Sequence, residues 1–293
     1  MRNGKGQERK ASPSFFTGEK WLVLTGLLGF LLAAICGVWV ILYGGPVFPK
    51  GDVLKAFSFN AALGVFLLST AAILPFTALG NKSRALFRWS YIVLALYSYA
   101  AETVQNFRGV DPRFVKGGMP FDVWVGSIFT FVALLLILFY LFVAVQYFRP
   151  KAYRLRPELI VGIRYAMLAV LLSFAAGVWI SFNNGRLVGL HGSIIWLHGL
   201  GFHALQVVPF IAWLSERTAL THSARKAFIH LAGTAYLVSL VAVGWQTYLG
   251  HPVLEWSVLP VLAFVSLLIS LAPGIVLLRR QSDQTVPAGK AIL

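Results

Sequence analysis

The sequence predicts an all-α integral membrane protein built as a bundle of eight transmembrane helices. Composition is the first observation behind this prediction, and a series of long apolar runs is the second. The chain has 293 residues, of which 58% are hydrophobic and 12% are charged, whereas a soluble domain averages about 45–50% apolar and about 25% charged residues. A chain of this size has no interior large enough to bury so much apolar surface, so lipid is the expected solvent.

Eight apolar runs define the expected spans. Each is about 20 residues or slightly longer, the length that a helix needs to cross about 30 Å of hydrocarbon. The runs lack the period-two alternation of a barrel strand. They cover residues 21–43, 58–80, 85–106, 123–148, 158–182, 191–215, 225–249 and 255–278. No convincing internal repeat is visible in the sequence, which argues against a transporter built from inverted repeats.

The polar ends of the chain are expected to lie outside the bundle. We predict a disordered basic cytoplasmic tail over 1–20, a single eight-helix transmembrane domain over 21–280 and a flexible cytoplasmic tail over 281–293. The apolar run that follows the first tail is too long for a signal peptide and ends without a small-residue cleavage site, so we expect a retained anchor.

The distribution of basic residues predicts the orientation. The formal net charge is +15, and most of the 25 lysines and arginines lie in the two tails and in the connections after the second, fourth and sixth runs. Under the positive-inside rule these segments are cytoplasmic. We therefore expect a multi-pass protein of a prokaryotic cytoplasmic membrane with both termini inside. The charge is explained by the lipid bilayer as partner, and no nucleic-acid partner is predicted.

Polar residues in the third run mark one candidate site. Glu102, Gln105 and Asn106 fall on one helix face near the outer end of the run. An ionisable side chain inside a span is costly and is a functional-site candidate. In the alternative interpretation, Glu102 reaches the outer interface or pairs with Arg108 or Arg186.

The sixth run carries a second group of polar residues. His191, His198, His203 and Gln206 lie in a stretch that is otherwise apolar enough to span the membrane. Helical geometry allows all four to point into one broad inward sector. The alternative is a tightly packed helix whose histidines form hydrogen bonds to neighbouring residues.

Together these groups predict an outward-facing polar pocket. The catalytic candidates are Glu102, His198 and His203, and His191 joins them as a candidate metal ligand. Other residues at the same ends of the spans are candidates for binding a small molecule of unknown identity. They are Gln105, Asn106, Arg108, Asn183, Asn184, Arg186, His191, Gln206, Gln246, Tyr248 and His251.

The chemistry of such a pocket stays open at this point, and our first hypothesis is a membrane enzyme or redox protein that binds a metal, haem or quinone. The histidines are five and seven residues apart, whereas two histidines that chelate zinc from one helix are four apart. A bis-histidine haem needs ligands at matching depth on two spans. The runs 58–80, 123–148 and 255–278 contain no histidine, so a comparison with the eight-span haem A synthases fails. The single cysteine, Cys36, excludes a thiolate cluster.

Two further classes of function are compatible with the sequence. A chain of titratable groups from Glu102 to His203 suits a proton-coupled small-solute transporter. The sequence contains no phosphate-binding glycine loop and no serine nucleophile motif. This absence favours a non-catalytic scaffold or assembly factor as a third hypothesis, and it leaves open whether the protein is an enzyme.

Overall fold

A computed structural model describes residues 13–115 and 119–285. Within them the protein is all-α apart from two short β-hairpins. One helix, Pro150–Tyr153, has only four residues and lies between two long helices, and the 3₁₀ helix Leu74–Phe76 follows the helix Val53–Ile73. The α-helices are α1 Lys20–Tyr43, α2 Val53–Ile73, α3 Asn81–Phe107, α4 Pro120–Phe148, α5 Pro150–Tyr153, α6 Pro157–Phe182, α7 Ile194–Glu216, α8 His222–Tyr248 and α9 Val258–Thr285. The hairpin strands are β1 Pro46–Val47 with β2 Gly51–Asp52, and β3 Leu187–Val188 with β4 Gly192–Ser193.

The structure confirms the all-α membrane fold class. Seven of the described helices are long and apolar enough to cross a membrane. The eighth long helix, α3, is missing from this set because charged residues at its start and Glu102 near its end lower its hydropathy. Its length of 27 residues equals that of α8, which does belong to the set. We therefore count seven clear spans and expect α3 to be the eighth.

Local signals in the sequence explain where several helices begin. Asp52 accepts a hydrogen bond from the backbone N–H of Leu54 at 3.0 Å and so caps α2. Thr221 caps α8 by accepting from the N–H of Ala224. Proline opens both α4 and α6, at the first position of a helix, where its missing N–H has no intrahelical partner to lose.

The bundle consists of two similar halves, contrary to the expectation that the chain has no internal repeat. Helices α1–α4 correspond to α6–α9, and equivalent residues differ by a constant offset of 141, as Gly51 and Gly192 do. The two hairpins pair in the same register, with Val47 opposite Gly51 and Val188 opposite Gly192. Helix α3, residues 81–107, and helix α8, residues 222–248, begin and end at equivalent positions.

Backbone hydrogen bonds repeat at the same offset. The N–H of Lys50 donates to Gly109 O at 2.8 Å, and the N–H of His191 donates to Gly250 O at 3.3 Å. Gly109 and Gly250 have φ values of 77° and 78°. Each half contains four long helices, an even number, so both halves run in the same direction if α3 also crosses the membrane. Such repeats are related by an axis along the membrane normal rather than within its plane.

The two halves meet through an aromatic core. Phe66 of α2 packs against Tyr140 of α4, with ring centroids 4.7 Å apart, and against Phe202 of α7 at 4.9 Å. Phe174 of α6 contacts Tyr140 at 5.6 Å and Phe202 at 5.4 Å. Helices α2, α4, α6 and α7 therefore form the centre of the molecule.

Candidate functional site

Glu102 lies near the end of the bundle that carries both β-hairpins, which we call the hairpin end. Its side chain is buried and accepts a short hydrogen bond from Nε of Arg113. The amide of Asn106 donates to Oε2 of Glu102 at 3.3 Å, and Oδ1 of Asn106 accepts from the N–H of Asp52 at 2.9 Å. Glu102 thus joins α3 to the loop that follows it. Its partner is Arg113, whereas the alternative interpretation of the sequence named Arg108 or Arg186.

The same loop is held to the first half by two further charge pairs. Nη1 of Arg108 lies 2.7 Å from Oδ1 of Asp122 and also donates to Oε1 of Gln105. The side-chain amide of Gln105 donates to Oδ1 of Asp122 at 3.0 Å. Lys55 lies 3.2 Å from Asp111. Burial alone would raise the pKa of Asp111, but the N–H of Arg113 and the Lys55 ammonium outweigh it and hold that pKa below its ordinary value.

His198 lies on α7 against α6. Its Nδ1 donates to the carbonyl of Ser173 at 2.8 Å, and the hydroxyl of Ser173 donates in return to the carbonyl of His198. Gly177 permits this close approach, because a Cβ there would lie 2.9 Å from Cε1 of His198. The bond at Nδ1 fixes the tautomer of a neutral ring and leaves Nε2 as the acceptor nitrogen.

His203 belongs to a different group of polar residues at the junction of the halves. Its Nδ1 donates to Oε1 of Gln206 at 3.0 Å, and Nε2 of Gln206 donates to the hydroxyl of Ser69 on α2 at 2.5 Å. We call Ser69, His203 and Gln206 the junction triad. It is a polar connection between α2 and α7.

Two members of the junction triad, Ser69 and Gln206, border a groove with a volume of about 330 Å³. The groove has otherwise apolar walls from α2 and α7, and Phe15 and Phe16 line it before α1 begins. The remaining lining residues are Leu68, Ala72, Ile73, Leu205, Pro209, Phe210 and Trp213. Pro209 has no N–H, so the carbonyl of Leu205 lacks its usual intrahelical donor within this wall.

Candidates from the second hairpin lie outside the helices. Helix α7 begins at Ile194, so His191 is not on the helix and occupies the exposed turn of the hairpin. Asn183, Asn184 and Arg186 are exposed between α6 and β3. The side-chain amide of Asn183 closes this connection by donating to the carbonyl of Leu187 at 2.6 Å.

The end of α8 forms a separate local network. Gln246, the repeat mate of Gln105, is buried and donates to Pro252 O at 3.0 Å and to Glu255 at 3.2 Å. His251 lies 3.1 Å from the same carboxylate. Tyr248 is exposed and packs against the ring of Trp179. In each half, the glutamine at this repeat position is therefore bonded to residues that follow it within the same half.

Glu102, His198 and His203 thus have three different sets of hydrogen-bonding partners, and the structure does not join them by hydrogen bonds. Among residues 13–115 and 119–285, no three His, Cys, Asp or Glu side chains are grouped so that they could hold a metal ion. Near the opposite end of the bundle, His230 is bonded to the Tyr165 hydroxyl at 2.9 Å. At the same end, Glu216 pairs with Arg156.

Sequence reasoning missed Arg113, Asp122 and Ser69. The turn residues Asp111 and Pro112 were a usable signal for the first, because a turn there folds Arg113 back over the end of α3. Ser69 gave no such signal, since a lone serine in an apolar span is usually bonded within its own helix. Its hydroxyl does donate to Val65 O at 2.8 Å, and it accepts from Gln206 in addition.

Comparisons with protein-family models, with curated proteins and with solved structures find no match for this chain. The class that the fold defines is a multi-pass helical membrane protein with two similar halves.

Proposed function

We propose that the protein binds a lipid-soluble small molecule of the quinone class in the groove between its halves. The observation behind this proposal is the junction triad, which places hydrogen-bonding groups against an otherwise apolar groove. Ligand sites are typically mostly apolar cavities of about 300–1,000 Å³ with a few polar groups that fix orientation. An apolar ring with a carbonyl oxygen suits such a lining.

The hydrogen-bonding capacity of the triad supports a carbonyl ligand. A glutamine amide has two N–H donors, and one of those on Gln206 is used by Ser69. The second remains for an acceptor oxygen of the ligand. His203 uses Nδ1 for Gln206 and so holds the orientation of that amide.

Titration of decyl-ubiquinone into the purified protein tests the proposal, because Trp213 borders the groove and its fluorescence reports occupancy. We expect saturable quenching, and we expect Gln206→Leu to weaken the affinity by about tenfold, since a lost hydrogen bond of roughly 1–1.5 kcal/mol corresponds to that factor. Gln146→Leu is the matched control, because that amide is bonded to Phe142 O within α4. Absence of saturation, or equal affinities of the two variants, would reject quinone binding.

A proton-coupled small-solute transporter is the second candidate. It is favoured by the repeat, because transporters with parallel halves bind substrate where the halves meet. The junction triad lies at that boundary. Liposomes carrying the protein would then show pH-dependent uptake from a panel of amino acids, sugars and nucleosides, and His203→Ala would abolish it. Unchanged uptake in the variant would exclude the triad as the transport site.

We also propose that both termini face the cytoplasm of a prokaryotic cell. The support is the density of basic residues in the segments at the terminal end of the bundle, opposite the hairpin end. A fluorescent protein that matures only in the cytoplasm, fused after the last residue, should become fluorescent. A fusion protein that is expressed at a normal level but is not fluorescent would contradict this orientation.

A further inference from the structure

Three polar side chains join α6 to α8 on the surface of the second half. The hydroxyl of Tyr165 on α6 lies 2.9 Å from Nδ1 of His230 and 3.3 Å from the hydroxyl of Thr234, both on α8. Gly233 permits this crossing, because a Cβ there would lie 2.2 Å from Cγ of the Tyr165 ring. We call Tyr165, His230 and Thr234 the surface triad.

The surface triad lies where the protein faces lipid. Helix α8 is one of the seven clear spans, and the side chains of His230 and Thr234 are exposed on it. Polar groups that face hydrocarbon without a partner are costly. The first half carries exposed apolar residues at the three equivalent positions, which are Leu24, Trp89 and Val93. The four-helix unit therefore does not need polar residues there, and the second half has acquired them for another reason.

His230 keeps one ring nitrogen free for a ligand. A phenol has one proton to donate, and Thr234 can donate to the phenol oxygen, so we assign the Tyr165 proton to Nδ1 of His230. In the neutral ring Nε2 then carries the hydrogen. Nε2 has no hydrogen-bond partner among the described residues. Because the ring is exposed, an acceptor oxygen from outside the chain can reach this N–H.

An apolar groove with a volume of about 450 Å³ begins at the same threonine. It follows α8 from Thr234 to Trp245, about 16 Å at 1.5 Å per residue, and Leu259 and Leu262 of α9 form its other wall. The remaining lining residues are Leu237, Val238, Val241 and Ala242. A length of 16 Å is close to half of a hydrocarbon core about 30 Å thick, which is the depth that one acyl chain spans.

The first half bridges the equivalent space between α3 and α4. Tyr97 is the residue equivalent to Val238, and its hydroxyl donates across to Val125 O at 2.8 Å. Val238 has no such hydroxyl and lines the open groove instead. The second half therefore combines an open groove with a free N–H, at positions where the first half has a tyrosine and a tryptophan.

We propose that the second half binds one phospholipid of the surrounding bilayer, with an ester carbonyl at Nε2 of His230 and the acyl chain of that ester in the groove towards Trp245. The level of His230 suits an ester. Arg225 and Lys226 precede it on α8, and basic residues at the ends of spans lie at headgroup level. His230 is four residues beyond Lys226, about 6 Å deeper. The headgroup region is about 5–8 Å thick on each side of the hydrocarbon core, so this depth is the boundary where ester carbonyls lie.

Ester-linked and ether-linked lipids with the same headgroup test the proposal, because they differ in the carbonyl oxygen that His230 would bind. Dioleoyl phosphatidylcholine and its dioleyl diether analogue are titrated into the full-length protein in detergent micelles, and native mass spectra measure the fraction of protein with one lipid bound. We expect the ester lipid to bind about three- to tenfold more tightly, the factor that corresponds to one neutral hydrogen bond.

His230→Leu should remove this preference, so that the two lipids bind with equal affinity. Trp89→Leu is the matched control at the equivalent position of the first half and should keep the preference. Gln206→Leu should also keep it, since the junction triad borders another groove, and this result separates the lipid site from the proposed quinone site. Val238→Tyr, which copies Tyr97, should weaken the binding of both lipids.

Two further measurements distinguish a lost contact from a damaged fold. The unfolding midpoint of His230→Leu in detergent should not fall, because an exposed polar side chain is replaced by one suited to an apolar environment. His230→Gln retains an N–H donor, so its preference for the ester lipid should lie between those of the native protein and His230→Leu. Equal binding of both lipids to the native protein, an undiminished preference in His230→Leu, or loss of the preference in Trp89→Leu as well, would overturn the proposal.

Discussion

The ion pair between Glu102 and Arg113 should respond very differently to removal of its two members. The side chain of Glu102 is 1% exposed and that of Arg113 is 34% exposed. Arg113→Gln leaves a carboxylate that is buried, with the Asn106 amide as its remaining charge-stabilising contact. Removing one partner of a buried pair costs about 3–5 kcal/mol, and we expect a value near the lower end, about 3 kcal/mol, because Asn106 stays.

Glu102→Gln leaves the Arg113 guanidinium without its partner, but that group is less buried than the carboxylate. The guanidinium of Arg113 is one-third exposed and can turn towards water, so the loss should resemble that of a surface pair with an added packing change, about 1 kcal/mol. The double variant should cost less than the sum of the two single variants, because neither buried charge then remains unpaired.

Unfolding of the purified protein in mixed micelles, followed by circular dichroism as the denaturing detergent increases, measures these free energies. Lys55→Gln is a useful control, because the pair that Lys55 forms with Asp111 is more exposed and should contribute below about 1 kcal/mol. The reasoning is refuted if Glu102→Gln destabilises the protein as much as Arg113→Gln, or if the two changes are additive.

Two further predictions concern the repeat and the loop. A Cβ at Gly51 would lie 2.2 Å from Asn106 O, and one at Gly192 would lie 2.6 Å from the equivalent Thr247 O, so alanine at either position should cost about 1–3 kcal/mol. Gly199→Ala, in open space on a helix, should be neutral or slightly stabilising in the same unfolding assay; equal losses at all three glycines would contradict the packing argument. Because the folded pKa of Asp111 is depressed, its contribution to stability is present above its ordinary pKa of about 3.9 and disappears as the pH falls through the lower folded value. Unfolding midpoints of Asp111→Asn should therefore vary less with pH in this acid range, and an unchanged pH profile would show that the contact is not coupled to folding.

Composition and the length of the apolar runs were enough to predict the membrane fold, because a chain of this size can remove so much apolar surface from water only by placing it in lipid. The long helices begin and end near the predicted runs, although α7 starts at Ile194 rather than 191. That shift removes His191 from the helix. It was not predictable from hydropathy, because the β3–β4 hairpin that replaces the first turn is itself apolar.

The sequence did not predict the repeat, and the reason is physical. What the halves share is a set of backbone contacts, such as the one from residue 50 to Gly109 and from residue 191 to Gly250, and many side chains can surround them. Gly51, Gly109 and Gln105 have identical residues at the equivalent positions of the second half. The position equivalent to Glu102 is Val243. The partner of Glu102 comes from a loop and that of Gln206 from another helix, and such tertiary contacts leave no period in the sequence.

The duplication also bears on how this protein arose. A single four-helix unit joined to a second copy of itself would have formed the same junction with two identical faces. In the present chain every one of the six histidines lies at residue 191 or later, and Ser69 of the first half meets Gln206 of the second. A symmetric ancestor would have carried each of these side chains on both sides of its axis. Within one chain the two sides of the junction need not be identical, and α2 supplies the hydroxyl of Ser69 while α7 supplies Gln206 and His203.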